Sequence, residues 1–201
     1  MKPKYESEII GNQEWITRNL DVDRFRNGDL ITYIELDEEW EEAGRNGQPA
    51  WCYYDNDPEN GKKYGKLYNW YAVNDLRGLA PEGYHVSTDE EWTILEEFLG
   101  GKDIAGHKMK SDNSWAEWED EDGEFQNGNG DNSSGFNALP GGYRRNDGSF
   151  IHIRNNAFFW SASENDNFYA WFRTLNFNNG NVNRYNFFLK LPGFSVRYLR
   201  D

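Results

Sequence analysis

One cysteine, Cys52, is all that this 201-residue chain holds, so no disulfide can form within it and its stability has to come from packing. Positive charge is scarce too: 21 Lys and Arg stand against 35 Asp and Glu, a net charge of −14. Such a surface repels phosphate backbones, and no Lys/Arg cluster or basic stripe reverses that, so nucleic acid is not an expected partner. The same charge opposes adsorption to anionic membranes. Long apolar runs are missing as well, and nothing in the chain is expected to insert directly into a bilayer. Met1 to Gly11 (MKPKYESEIIG) lacks the apolar centre of a signal peptide. A protein of this sequence working outside its cell would need assembly into a virus particle, another export route, or a signal trimmed away.

Aliphatic residues are few, with hydrophobic types at 37%, but aromatics alone make up 17% and include nine Trp. Each large ring buries on the order of 150–250 Å², so a core built on rings is expected. Abundant Gly, Asn and Asp point to turns and long loops. A short strand followed by polar turns is expected over 12–20 and further short strands over 30–36 and 51–54, with one helical turn from Asp37 to Ala43 around Trp40 and a turn at DNDPENG. Spacing predicts a helix over 66–74, with Leu67, Trp70, Tyr71 and Asn74 on one face. A second helix is predicted over 88–99: Thr88 and Glu91 form a capping box, Trp92, Leu95 and Leu99 make the apolar stripe, and Glu90, Glu91, Glu96 and Glu97 face water. Gly100 and Gly101 stop it. Residues 111–135 read as polar loop, followed by short strands at 136–143, 149–153, 157–163, 168–177 and 194–199. No repeat or linker divides the chain, so one α+β domain over 1–201 is expected.

The blocks GNQEWITRNLDV (11–22), YGKLYNWYAV (64–73), APEGYHVSTDEEWTILEEFLGG (80–101), SSGFNALPGGYR (133–144), FFWSAS (158–163) and GFSVRYLRD (193–201) resemble the Fib-succ-major paralogous domain family. That family is related to the formylglycine-generating branch of the C-type lectin fold. The resemblance therefore implies an α+β C-type lectin fold with two main helices, short antiparallel strands and long loops.

The stretch Asn165 to Gly193 (NDNFYAWFRTLNFNNGNVNRYNFFLKLPG) is similar to the variable region of proteins diversified by retroelements. In those systems template adenines are copied with errors. An AAC or AAT codon altered at both adenines gives Asn, Tyr, Phe, Asp, Ser, Leu or Pro among others, but never Trp, Lys, Glu, Gln, Met or a stop. Asn167, Phe168, Tyr169, Phe172, Asn178, Asn179, Tyr185, Asn186, Phe187, Phe188, Leu189, Leu191 and Pro192 are all reachable in this way. Trp171, Arg173, Gly180, Val182, Arg184 and Lys190 read as framework between them. The resemblance implies a ligand- or receptor-binding protein with a variable surface over 165–192, acting in viral host attachment or display at a cell surface. Its partner would be an unidentified protein or glycan receptor, and an oligomer would suit avidity. The alternative is a carbohydrate-binding module of the same fold with a fixed surface.

From the residues alone, 185–192 (YNFFLKLP) show no clean alternation and follow an Asn/Gly-rich turn. A buried strand and an exposed patch both fit. Pro192 favours an edge or loop position. An exposed cluster of Tyr169, Phe172, Tyr185, Phe187, Phe188 and Leu189 would mark a recognition site.

Catalysis is not expected. The related formylglycine-generating enzymes need a reactive cysteine pair, and Cys52 stands alone in an apparent strand, where such a residue usually serves as a small hydrophobe. His85, His107 and His152 lack partners at metal-ligand spacing. His85 reads as structural, and His152 as a hydrogen-bonded core or surface residue. No cofactor is expected. Calcium is the one cation to weigh, because Asp55, Asp57 and Glu59 alternate and EDED (119–122) is acidic, but neither fits a known calcium loop.

Overall fold

The computed structural model describes residues 5–201; the first four residues of the N-terminal segment discussed above lie outside that range. Gly11, at φ 66°, turns the chain between β1 (Ser7–Ile10) and β2 (Gln13–Ile16), a conformation that glycine adopts without a Cβ clash. β3 is Thr32–Tyr33 alone, shorter than the strand expected over 30–36. The turn around Trp40 extends to a full helix, α1 (Asp37–Arg45), which buries Trp40, Ala43 and Gly44. β4 (Ala50–Cys52) follows. The run DNDPENG is more than a turn: Pro58 suits a first helical position and Asp57 accepts the Glu59 amide at 2.9 Å, so α2 (Pro58–Tyr64) begins there.

The helix expected over 66–74 forms only in part. β5 (Leu67–Tyr68) pairs with β4, Leu67 opposite Cys52 and Tyr68 opposite Trp51, and only α3 (Trp70–Val73) is helical. Asn69 explains the change of state. Its buried side-chain oxygen accepts the amides of Ala50 and Ala72, each at 3.1 Å, tying strand to helical turn at one atom.

β6 (Tyr84–Val86) leads into α4 (Asp89–Phe98), and here the capping box is present. Thr88 Oγ1 accepts the Glu91 amide at 3.2 Å, and Glu91 accepts the Thr88 amide at 2.8 Å. Trp92, Leu95 and Leu99 are buried, as the stripe requires. Glu96 departs from expectation, because it is buried rather than in water. Gly100 and Gly101, at φ 104° and 97°, end the helix, and a further helix not foreseen from the sequence, α5 (Lys102–Met109), follows at once.

The polar stretch after it is loop apart from a small hairpin of β7 (Glu117–Glu119) and β8 (Phe125–Asn127). The strands β9 (Gly141–Arg144), β10 (Phe150–Ile153), β11 (Asn156–Glu164), β12 (Ala170–Asn176), β13 (Val182–Tyr185), β14 (Ser195–Val196) and β15 (Tyr198–Arg200) complete the chain. Among the described residues the architecture is mixed α/β, with five α-helices and several sheets.

One sheet runs β1-β2-β15-β6, which brings the two ends of the chain together. The central sheet runs β10-β9-β11-β12-β13, with β14 parallel to β11. Both faces of that central sheet are core. On one, Phe159, Leu175 and Val182 join Trp15, Trp92 and Phe136, with the Trp15 and Trp92 rings 5.1 Å apart. On the other, Trp160 and Phe172 join Tyr68, Tyr143 and Phe194, with Trp160 stacked on Phe194 at 4.3 Å. Each such ring removes on the order of 200 Å² from water, about 5 kcal/mol before entropy is counted. That is how a chain with so few aliphatics and no disulfide holds a fold.

Candidate binding face

β12 and β13 form a hairpin at the edge of the central sheet, with Phe172 opposite Tyr185 and Leu175 opposite Val182. Side chains alternate along a strand, so Arg173 and Arg184, paired across the strands, share the face toward α4 with Leu175 and Val182. Arg173 is fully buried. Its Nη1 donates to Asp89 at 2.6 Å, its Nε to Glu96, and its Nη2 to Thr93 Oγ1 at 3.2 Å. Arg184 grips the same Asp89 carboxylate at 2.7 and 2.9 Å and lies 3.4 Å from the centre of the Trp171 ring. Burial alone would raise the Asp89 pKa, but hydrogen bonds from Arg184 and Arg173 outweigh it and hold the carboxyl below its ordinary value. At Glu96 burial prevails and pushes the pKa up, with Arg173 opposing.

The other end of the hairpin is held by Lys110 at the end of α5. Its buried ammonium donates to the carbonyls of Gly128, Asn176 and Asn179 at 2.7, 3.1 and 3.0 Å, and burial lowers its pKa to about 8. Gly180 lies against α5, where its carbonyl accepts the His107 amide at 3.1 Å.

Lys190 fastens the segment after β13. Its buried ammonium pairs with Glu164, donates to the carbonyls of Asp166 and Asn167 at 2.8 and 3.0 Å, and sits 4.6 Å from the Trp70 ring centre. The Lys190 amide donates to Phe168 and its carbonyl accepts from Trp70, while Tyr169 bridges Leu189. Two otherwise irregular stretches, 165–169 and 186–190, are thereby fixed side by side.

On that mount sit the exposed apolar groups. Phe168 is 67% exposed and Phe187 58%, with Tyr185 and Leu189 near 37% and 36%. Asn167 is exposed, and Tyr169, Asn186 and Phe188 are half-buried. The Asn186 amide donates to Asn165 at 3.1 Å. Tyr185 and Phe187 lie 4.9 Å apart and Phe187 and Phe188 5.2 Å, a continuous run of rings.

Two of the expected surface residues belong to the interior, and a third turns away from the patch against α1. Phe172 is fully buried beneath Phe187 and Phe188, because its place on β12 points it into the core with Trp160. Pro192 is buried too. Leu191 is half-buried over Gly44 of α1, so close that a Cβ there would lie 2.7 Å from Leu191 Cγ. Phe188 is transitional, with one side on Phe187 and the other on Tyr143 and Phe194. Asn178 and Asn179 are exposed but occupy the far turn of the hairpin. About 13 Å of strand separates Phe172 from Asn176, where that turn starts.

Sequence reasoning missed Asp89, Glu96 and Lys110 as supports of this face. The available signal was Arg173 between apolar neighbours in a strand, a buried cation that an acidic partner stabilises. A polar groove of about 660 Å³ also borders the patch at Tyr185, lined by Thr93, Asp103, Asn181, Asn183 and Arg184.

The remaining candidates for chemistry have structural surroundings. Cys52 is fully buried, and burial pushes its thiol up to about 12, out of reach of thiolate chemistry near neutral pH. His152 is exposed, at φ 68°, with its ring stacked toward Tyr143. Among the described residues no three His, Cys, Asp or Glu side chains converge as a metal site, and no helix is long and apolar enough to cross a membrane.

His85 bonds Glu91 through Nε2 at 2.6 Å and Asp201 through Nδ1 at 2.7 Å. Two carboxylates on one ring favour the imidazolium. Burial lowers the His85 pKa, yet these two bonds outweigh it and the net shift is upward from 6.5. The link then stabilises the fold fully below pH 6.5 and is lost as pH rises through the elevated folded value. An NMR titration of the ring should give a midpoint above 6.5 that falls in Glu91→Gln; a midpoint at or below it would contradict the double bond.

The chain is mixed α/β and carries an exposed aromatic loop surface mounted on buried ion pairs. By sequence it belongs to a known family: the model of the Fibrobacter succinogenes major domain (Fib_succ_major) matches residues 9–200. No curated protein and no solved structure matches the chain.

Proposed function

We propose that this protein binds a ligand or receptor, most readily another protein, through the surface formed by Asn167, Phe168, Tyr169, Tyr185, Asn186, Phe187 and Leu189. The observation that carries the reading is the division of labour along 165–192. The exposed rings and amides all come from residues an Asn codon can reach, while Trp171 and Lys190, which it cannot reach, belong to the mount; Phe172, Pro192, Arg173 and Arg184 are reachable too, and packing keeps them in the framework. In this reading the fold is a C-type lectin variant and the face is diversified by adenine-directed mutagenesis. Its setting is a virus particle or a cell surface, where recognition of a host receptor rewards variety. Clustered Phe and Leu favour a protein partner over a glycan, because they offer desolvation rather than hydroxyl pairing. Binding needs neither catalysis nor a cofactor, calcium included.

A phage-displayed library randomised at those seven positions tests the reading. Panning against unrelated soluble proteins should yield folded binders equally with and without a chelator. Collapse of folding across the library, or binders that depend on the metal, would argue against it.

A further inference from the structure

A concavity of about 830 Å³ lies away from the C-terminal face, lined by the 17–22 stretch, the end of α2 and β15. Arg197 lines it from within and is 1% exposed. Its Nε donates to Asn19 Oδ1 at 2.7 Å, its Nη1 to the carbonyls of Ile16 and Phe136, and its Nη2 to that of Asn137, each at 2.9 Å. Every one of these acceptors is neutral.

The contrast with the other fully buried arginines is direct. Arg144 pairs with Asp37 at 3.0 Å and Arg173 with Asp89 at 2.6 Å, but no carboxylate among the described residues reaches Arg197. Burial accordingly pushes its pKa down to about 9. A guanidinium also carries one more N–H on Nη2 than these bonds use. A buried cation without a counter-charge is costly, and an anion that supplies one is held strongly.

The rim agrees with the floor. Arg18, Lys62 and Lys63 line the cavity against Glu6 and Asp21; Asp21 is already taken by Lys66 and Lys62 by Glu59, which leaves Arg18 and Lys63 against Glu6. On a chain of net charge −14 this is a local reversal of sign. The volume is that of a small-molecule site, typically about 300–1,000 Å³.

We propose that this cavity binds a small organic molecule through a carboxylate, which neutralises Arg197 at the floor while Arg18 and Lys63 hold it at the rim. One buried charge that rests on the Phe136 ring, 4.4 Å away, but has no counter-charge suits a monoanion, and Glu6 together with the overall negative field disfavours a phosphate dianion.

Calorimetric titration of the full chain with glucuronate and with acetate, against sodium chloride at matched ionic strength and against neutral glucose, tests this. Saturable binding of glucuronate is expected, weakened about tenfold in Arg18→Ala/Lys63→Ala by the loss of two exposed charge contacts. Those two residues are exposed, so the melting temperature of the double variant should stay unchanged, whereas Arg197 also holds three backbone carbonyls and is left intact. Acetate binding in parallel would show that the carboxylate alone suffices; glucuronate without acetate would show that the ring contributes. No saturable binding of either acid, an equal response to glucose or chloride, or undiminished binding in the double variant would overturn the proposal.

Discussion

Arg173→Met should lower the melting temperature by on the order of 10 °C. Removing one member of a buried ion pair typically costs about 3–5 kcal/mol, because its partner is left charged and unpaired, and in a chain of this size each 1 kcal/mol moves the midpoint by about 2–4 °C. Here the abandoned partner is Glu96, itself buried, while Asp89 keeps Arg184. Glu96→Gln in the Arg173→Met background should therefore recover part of the loss, since a neutral amide is less costly to bury than a carboxylate. Arg145→Ala, at an exposed and loosely paired site, serves as the control and should stay within about 0.5 kcal/mol of the starting protein. Equal, small effects for Arg173→Met and the control would mean that the hairpin is not mounted on α4 by this cluster.

Phe187→Ala and Phe188→Ala, neighbours in sequence, should behave as different kinds of variant. Phe187 is mostly exposed, so its removal should leave stability within about 0.5 kcal/mol while stripping the centre of the patch. Phe188 packs on Phe172, Tyr143 and Phe194, and a half-buried ring cut to alanine should cost about 2 kcal/mol, below the 3–5 kcal/mol of a fully buried one. Chemical denaturation of the two variants reads this directly. A Phe187 loss as large as that of Phe188 would place Phe187 in the core and remove it from the binding face.

The parts of the fold legible in the sequence were those set by local chemistry. Thr88 and Glu91 lie three residues apart, and their capping box needs nothing from elsewhere. Asn69 was illegible for the opposite reason: two of its three side-chain partners, Gln48 and Ala50, are distant in sequence, so the strand that interrupts the expected helix is decided by remote backbone groups. Glu96 looked like any acidic residue on an outward helix face until β12 supplied Arg173. The site followed the same pattern. Lys190 stood out as framework amid apolar residues, and it is buried and multiply bonded. Phe172, grouped with the surface by its residue type, lies in the core because strand alternation gives it the inward face and the rings of Phe187 and Phe188 close over it. Codon reachability sorts Trp171 and Lys190 from the rest, but only three-dimensional packing separates Phe172 and Pro192 from Phe187.

The central claim, a variable face on an invariant mount, meets its most direct test in deep sequencing of the gene's 3′ end across its source population. The expected result is variation at the codons for Asn167, Phe168, Tyr169, Tyr185, Asn186, Phe187 and Leu189, confined to bases where the template carries adenine, with Trp171, Arg173, Arg184 and Lys190 unchanged. Invariance throughout 165–192, or substitutions spread evenly along the gene and into the Arg173 and Lys190 anchors, would contradict it.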